Sequence, residues 1–104
     1  MLKDLLYKVN LKAVLGSTDV EINSLHIDSR EVKPNSCFIA VKGSAVDGHH
    51  FIDAAIKNGA IAIVAEQLPT NIIDGITYVE VANSAAAVGF MAHNFYGEIG
   101  RAHV

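Results

Sequence analysis

Hydrophobic and polar positions follow two periods along the chain, one typical of helices and one typical of strands. The first segment carries its apolar side chains at helical spacing, at Leu2, Leu5, Leu6 and Val9. Residues 20–28 alternate as a strand does, and residues 37–41 form a short apolar run between turn residues, which is typical of a buried strand. The first half of the chain is therefore predicted to be a helix followed by two strands.

The middle of the chain has the pattern of a helix with one apolar face. Asp47 can cap this helix by accepting hydrogen bonds from the free amides of its first turn. Gly59 is placed to end it in the left-handed conformation that follows many helices. The face expected to pack on the sheet consists of Phe51, Ile52, Ala55 and Ile56. These signals predict a helix up to residue 58.

The last part of the chain adds two strands and a helix. Residues 60–65 and 77–81 are predicted strands, separated by a loop at residues 69–75, and Asn83 caps the final helix. The buried stripe of that helix is expected to be Val88, Met91, Ala92 and Phe95. A strand, helix and strand in succession form a βαβ unit with a right-handed crossover. We therefore predict an α/β fold: a small mixed, largely parallel sheet of four or five strands flanked by about three helices.

Composition narrows the class of protein. The chain has 104 residues, of which 51% are hydrophobic and 18% charged, as expected for one globular domain. Its net charge is −3 and its basic side chains are scattered, which argues against a nucleic-acid partner. No apolar run approaches the roughly 20 residues that span a membrane, so no membrane partner is predicted. The only cysteine, Cys37, is expected to be a buried reduced thiol, which fits a cytoplasmic location.

Two short segments carry the candidate chemistry. Residues 27–30 and 41–48 each follow a predicted strand, so both are expected at the carboxyl edge of the sheet, where α/β proteins hold anionic ligands. The Ser29 hydroxyl can donate to a phosphate or a nucleobase oxygen. Arg30 and Lys42 supply positive charge, and Gly43 lets a ligand approach the backbone closely. The two segments predict one crevice that suits an anion such as a diphosphate.

Several of these residues also have simpler structural interpretations. Asp28 and Arg30 can stabilise the strand end by pairing with neighbouring groups rather than by touching a ligand. Asp47 can be simply the cap of the helix, and Gly48 simply a tight turn before it. His49 and His50 are adjacent, so they point to different sides of a helix and are not expected to share a metal ion. We predict no metal site and no catalytic residue in this chain.

The combined order of motifs resembles the amino-terminal domain of the Mur ligases. The resemblance is carried by residues 28–34 (DSREVKP), 38–43 (FIAVKG) and 47–52 (DGHHFI), with further similarity at residues 55–60. Members of this family are ATP-dependent enzymes that add amino acids to the peptidoglycan precursor in the bacterial cytoplasm. Residues 78–81 (YVEV) and 94–97 (NFYG) are most similar to the members that add meso-diaminopimelate, or lysine, to UDP-N-acetylmuramoyl-L-alanyl-D-glutamate.

The resemblance implies that the chain binds the UDP part of that substrate. The residues that match the family's UDP contacts are Ile27, Ser29, Ser44, Ala45 and Val46, with Arg30, Lys42 and Gly43 as further candidates. The segment 44–46 carries no His or Gln here, so its contacts are expected to come mainly from backbone amides and the Ser44 hydroxyl.

The resemblance also implies that the chain is catalytically incomplete. The family's central domain has a Gly-rich phosphate loop that binds ATP and Mg²⁺, and nothing like it occurs in this sequence. The expected partners are therefore the UDP-N-acetylmuramoyl-dipeptide and the central and carboxyl-terminal domains of a longer parent chain. Residues 1–97 are predicted to form the UDP-binding domain. Residues 98–104 are predicted to be a non-native tail, because the last six of them, 99–104, match a translated sequencing adapter.

Two alternatives remain open at this point. One is the same domain from the Mur ligase that adds D-alanyl-D-alanine, which shares the Asp-Ser-Arg and Asp-Gly-His motifs. The other is a stand-alone, non-enzymatic module that binds a nucleotide sugar. A reading frame that continues into a phosphate loop distinguishes a ligase from a stand-alone module.

Overall fold

A five-stranded sheet organises the part of the chain that the structure, a computed structural model, describes: residues 1–43 and 47–101, with side chains up to residue 97. The strands are β1 (Leu11–Leu15), β2 (Leu25–His26), β3 (Ser36–Ile39), β4 (Ala60–Ala65) and β5 (Thr77–Val81). The helices are α1 (Leu2–Leu5), α2 (Ile52–Lys57) and α3 (Ser84–Arg101), and 3-10 turns lie at Ser29–Glu31 and Gly48–Phe51.

The strand order across the sheet is β1-β5-β4-β3-β2. The four strands from β5 to β2 run parallel, whereas β1 pairs antiparallel with β5 at one edge. The sheet is therefore mixed and largely parallel, and three helices flank it among the described residues. The predicted α/β fold is confirmed.

Both faces of the sheet are covered by apolar side chains, as expected when helices pack on each side. One core joins α1 and α3 to the sheet through Leu2, Leu5, Leu6, Ile22, Cys37, Ile39, Ala62, Val64, Val79, Val81, Ala87 and Met91. The other joins α2 to the opposite face through Val32, Phe38, Ala40, Ile52, Ala55, Ala60, Ile63, Ala65 and Tyr78. The central strands β3 and β4 thus alternate between two cores, which explains their nearly continuous apolar sequences.

The elements with local sequence signals fall where they were predicted. β4 and β5 have the predicted bounds. Gly59 ends the α2 segment with φ +115°, and Asn83 Oδ1 accepts a hydrogen bond from Ala86 N at 3.0 Å as the cap of α3. Both caps are confirmed.

Two predictions for the first half of the chain are wrong in extent, and one strand was not predicted. α1 is a helix only over Leu2–Leu5, because the chain leaves helical geometry and reaches φ +70° at Lys8. Only Leu25–His26 of the segment 20–28 is a strand. The rest of that segment makes single backbone bonds rather than a ladder, such as Asn23 N to Asn35 O at 2.9 Å. β1 was not predicted, because all five of its residues are exposed and no buried face marks the sequence.

Phe51 does not face the sheet, contrary to the prediction. Its side chain is 42% exposed, whereas Ile52 and Ala55 are buried. The cause is the 3-10 turn Gly48–Phe51, which has three residues per turn and changes the phase of the segment before the α-helical part begins at Ile52. Phe51 therefore lies outside the core, at a surface described below.

Cys37 is buried in the first core and is a free thiol. Burial disfavours the charged thiolate and raises the pKa of Cys37 to about 12. Within the described residues, no helix is both long enough and apolar enough to cross a membrane.

We expect Cys37 to resist alkylation in the folded chain. Because its pKa is raised, the thiol stays neutral at pH 8, and only the thiolate attacks iodoacetamide. Mass spectrometry at pH 8 should show alkylation at least about a hundredfold slower in the native chain than in the chain unfolded in urea. Similar rates in the two states would contradict the burial of this thiol.

We expect Gly59→Ala to destabilise the chain more than Gly75→Ala. Both glycines have positive φ, +115° and +88°, so either substitution introduces backbone strain of about 1–3 kcal/mol. A Cβ at Gly59 would also lie 2.7 Å from Pro34 Cα, whereas nothing lies within 4 Å of a Cβ at Gly75. Urea unfolding should show a further loss of about 1–3 kcal/mol for Gly59→Ala. Equal losses would contradict the close approach of Gly59 to Pro34.

Candidate ligand-binding site

The segments that follow β2 and β3 border a single groove at the carboxyl edge of the sheet. These strands are parallel neighbours, so their carboxyl ends lie side by side. The groove has a volume of about 770 Å³ and is lined by Ile27, Asp28, Ser29, Arg30, Val41, Gly43, Gly48, Phe51 and Ala54. Residues from the first segment form one wall, and residues from the second segment and the start of α2 form the other.

The first wall is a 3-10 turn held by Asp28. Asp28 Oδ1 accepts hydrogen bonds from Arg30 N at 2.9 Å and Arg30 Nε at 3.1 Å, and Oδ2 accepts from Arg30 Nη2 at 2.8 Å. The side-chain hydrogen bonds from Arg30 are the main cause that lowers the pKa of Asp28 to about 2, and the backbone bond adds to it. The interpretation that Asp28 and Arg30 pair with neighbouring groups at the strand end is confirmed, and each is the partner of the other.

A hydrogen bond from the residue that ends α2 also holds Ser29 in place. Its backbone carbonyl accepts a hydrogen bond from Asn58 Nδ2 at 2.9 Å, and Asn58 is the residue that ends α2. Ser29 itself is largely buried, with 7% of its surface exposed at the groove. The turn is therefore fixed both to α2 and to its own Asp28 cap.

In the second wall, residues 41–42 lie beside residues 47–48. Lys42 and Asp47 form an isolated antiparallel bridge, and Gly48 N donates to Val41 O at 2.8 Å. A Cβ at Gly48 would lie 2.8 Å from Val41 N and 3.0 Å from Val41 O, so only glycine permits this approach. Gly48 is therefore a close-packing residue as well as a turn residue.

His49 joins this loop to the end of β4. Asp47 Oδ1 accepts a hydrogen bond from His49 N at 3.0 Å and lies 2.6 Å from His49 Nδ1. His49 Nε2 accepts from Glu66 N at 2.9 Å. The bonds from His49, the backbone bond first, lower the pKa of Asp47. Among the described residues, no group of three His, Cys, Asp or Glu side chains is arranged to hold a metal ion.

Glu66 also joins the loop to the start of α3. One of its carboxylate oxygens, Oε2, accepts hydrogen bonds from Ser84 N and Ser84 Oγ, both at 2.9 Å. Ser84 Oγ accepts in turn from Lys42 N at 3.0 Å. The bonds from Ser84, the backbone bond first, lower the pKa of Glu66. These bonds connect the ends of three strands to one another and to α3.

The structure brings together some of the predicted site residues and separates others. Ile27, Ser29, Arg30 and Gly43 all line the groove. Lys42 instead lines a smaller neighbouring cavity of about 220 Å³, together with Lys12, Asp47, His49, Glu66, Gln67, Val81 and Ala82. The predicted contacts Ser44, Ala45 and Val46 lie outside the described residues.

Sequence reasoning missed the contribution of Phe51 and Ala54 to the groove. Phe51 was assigned to the core from its spacing, and only the 3-10 turn before α2 brings it to the surface. Ile27, 58% exposed, and Phe51 give the groove apolar side chains, and the paired Asp28 and Arg30 add charged groups to its lining. Such a lining can pack against a flat ring and offers charged and polar groups to the same ligand.

Comparisons with known proteins agree on the family. The family described as "Mur ligase family, catalytic domain" matches residues 21–96. The UDP-N-acetylmuramoyl-L-alanyl-D-glutamate--2,6-diaminopimelate ligase of Cytophaga hutchinsonii is 47% identical over 96 residues, which is 91% of this chain and 20% of that protein. The ligase of the same name from Bacteroides fragilis is 43% identical over 96 residues, 92% of this chain and 20% of that protein.

Solved structures of similar fold are also Mur ligases. A crystal structure of MurF from Acinetobacter baumannii superposes with a TM-score of 0.74 over 90% of this chain and 20% of that one, at 21% identity, which shows the fold alone. MurF ligase from Thermotoga maritima in complex with ADP gives a TM-score of 0.60 over 72% of this chain and 17% of that one, at 37% identity.

The chain spans about a fifth of the length of the curated relatives that it matches. The family match covers more than half of this chain, and relatives above 40% identity align with more than nine-tenths of this chain. This chain belongs to the Mur ligase family.

Proposed function

We propose that this chain binds the UDP part of UDP-N-acetylmuramoyl-L-alanyl-D-glutamate. The single observation that carries the proposal is the groove between residues 27–30 and 41–48, at the edge of the sheet where nucleotide-like ligands bind in α/β folds. The names of the most similar relatives supply the substrate, because they are ligases of UDP-N-acetylmuramoyl-L-alanyl-D-glutamate.

The chemistry of the groove supports a nucleoside diphosphate. Ile27 and Phe51 offer apolar surface on which a uracil ring can pack, as nucleobases do on apolar and aromatic side chains. Ser29 offers a hydroxyl, and Arg30 offers a charge that its pairing with Asp28 holds in a fixed orientation. Gly43 leaves its backbone accessible at the other wall. We assign the UDP contacts to Ile27, Ser29, Arg30 and Gly43, with Ser44, Ala45 and Val46 completing the second segment.

We further propose that the parent protein is an ATP-dependent ligase of the bacterial cytoplasm that adds meso-diaminopimelate or lysine to this substrate. The chain itself contains no Gly-rich phosphate loop, so its residues do not fit ATP and Mg²⁺, and we derive no chemical step through them. Central and carboxyl-terminal domains of the parent would bind ATP, Mg²⁺ and the incoming amino acid. On this proposal the isolated chain binds substrate without ligating it.

A second candidate is the ligase that adds D-alanyl-D-alanine. It is favoured by one structural neighbour, the MurF ligase of Thermotoga maritima, which is 37% identical over 72% of this chain. The sequence relatives favour the diaminopimelate ligase, because they align over more of the chain at higher identity. Ligation assays of the complete parent with diaminopimelate, lysine and D-alanyl-D-alanine as acceptors distinguish the candidates.

We expect the purified chain to bind UDP and UDP-N-acetylmuramoyl-L-alanyl-D-glutamate at the groove. Isothermal titration calorimetry should detect both, with ADP as a control that shares the diphosphate but not the uracil. Chemical shifts in an NMR titration should change at Ser29, Arg30 and Gly43. Equal affinity for ADP and UDP, or shift changes confined to other surfaces, would argue against a UDP site in the groove.

Ser29→Ala should weaken the binding of UDP by about threefold to tenfold. This is the effect of losing one hydrogen bond of a neutral hydroxyl, roughly 0.5–1.5 kcal/mol. In a ligation assay of the complete parent, the same substitution should raise KM for the UDP substrate and leave kcat nearly unchanged, because a contact remote from the new bond contributes uniform binding. An unchanged affinity would remove Ser29 from the site.

Phe51→Ala should weaken UDP binding about fivefold or more, because stacking of a base on an aromatic ring contributes roughly 1–3 kcal/mol. Phe90→Ala is the matched control, since both phenylalanines are 42% exposed and Phe90 lies on α3, away from the groove. Calorimetry with UDP should show the loss only for Phe51→Ala. Equal effects of the two substitutions would indicate that Phe51 does not contact the base.

A further inference from the structure

His49 has both of its ring nitrogens engaged, although it does not line the groove. Nε2 accepts a hydrogen bond from Glu66 N at 2.9 Å and a longer one from Gln67 N at 3.3 Å. A backbone N–H can only donate, so Nε2 carries no proton. The neutral ring therefore has its hydrogen on Nδ1, which donates to Asp47 Oδ1 at 2.6 Å. The neighbours of His49 thus select one tautomer of the ring.

This ring connects the end of β4 to the base of the loop that follows β3. Asp47, which receives the Nδ1 hydrogen bond, is also the residue that bridges to Lys42. Glu66, which donates to Nε2, is the first residue after β4. His49 therefore ties the Asp47 side of the bridge to the central sheet, as Ser84 ties the Lys42 side, and only 13% of the His49 side chain is exposed.

The bridge in turn sets the position of one wall of the groove. Val41, Gly43 and Gly48 line the groove, and they lie immediately beside Lys42 and Asp47 in the chain. Gly48 N is bonded to Val41 O at 2.8 Å, without space for a Cβ between them. Because this contact is so close, a displacement of Asp47 displaces the wall as well.

We infer that His49 is a positioning residue: its neutral Nδ1–H tautomer fixes the Lys42–Asp47 bridge and thereby the wall of the groove formed by Val41, Gly43 and Gly48. Its effect on ligand affinity rests on the proposed function, because the ligand of this groove is taken to be UDP. Its effect on the wall does not depend on any ligand. His49 acts through Asp47 and Glu66 and makes no contact with the ligand itself.

Two conservative substitutions separate the halves of this connection. In His49→Gln the side-chain carbonyl can reach the place of Nε2 and accept from Glu66 N, so the tie to β4 is kept. In His49→Asn the side chain can still bond Asp47 but is too short to reach Glu66 N. His50→Ala is the control, because His50 is an exposed neighbouring histidine that does not line the groove.

Hydrogen exchange tests the wall without a ligand. Exchange of the Gly48 and Glu66 amides, measured by NMR, should be faster by about threefold to tenfold in His49→Asn than in the unsubstituted chain. His49→Gln should also speed the exchange of the Gly48 amide, because it loses the bond to Asp47, and should leave the exchange of the Glu66 amide within about twofold. His50→Ala should change the exchange of both amides by less than about twofold. Imidazole ¹⁵N shifts of the unsubstituted chain should show protonated Nδ1 and unprotonated Nε2. The opposite tautomer would overturn the inference even if His49→Asn failed to fold.

Calorimetry with UDP tests the consequence for the site. His49→Asn and His49→Gln each break one half of the connection and should each weaken UDP binding by about threefold to tenfold, whereas His50→Ala should retain it. Faster exchange at Gly48 with unchanged affinity would overturn the link to the groove and leave the proposed function intact. If the unsubstituted chain bound no UDP, the proposed function would fail, and the exchange of the Gly48 amide alone would decide whether His49 positions the wall.

Discussion

Glu66 joins three segments that are far apart in the chain. Its backbone N–H donates to His49, which closes the loop after β3, and its carboxylate accepts both hydrogen bonds of Ser84 at the start of α3. Lys42 N in turn donates a hydrogen bond to Ser84 Oγ. Because parallel strands end at the same edge, one residue after β4 can reach both neighbouring segments, and the second wall of the groove depends on this position.

The fold was predictable where a short stretch of sequence determines the structure. β4 is a continuous apolar run because it is buried on both faces, and Gly59 was identifiable because the chain needs positive φ there. β1 was not predictable, because it is an exposed edge strand that is held only by pairing with β5. Its partner lies more than 60 residues further along the chain, and no local periodicity reports such a pairing.

The site, like the fold, was predictable only where a short stretch of sequence determines the position of a residue. Ile27 and Ser29 reach the groove because they directly follow a strand, and the expectation needed only the direction of that strand. The assignment of Phe51 to the core failed because Phe51 belongs to a 3-10 turn, which has three residues per turn. The prediction applied the α-helical spacing of 3.6 residues per turn to this position. The His49 and Ser84 connections were missed because their partners are 17 to 42 residues away in sequence.

The shifted pKa values indicate what the polar residues at this edge do. Asp28, Asp47 and Glu66 all have lowered pKa values, and in each case hydrogen bonds donated to the carboxylate are the cause. A general acid at neutral pH needs a raised carboxyl pKa, so these three groups are suited to hold backbone segments rather than to transfer protons. Ordered walls favour binding, because a groove that is already ordered loses less entropy when its ligand arrives. On the proposed function, such a domain would contribute affinity and orientation, and a substitution in the hydrogen bonds that hold the groove would raise KM before it lowered kcat.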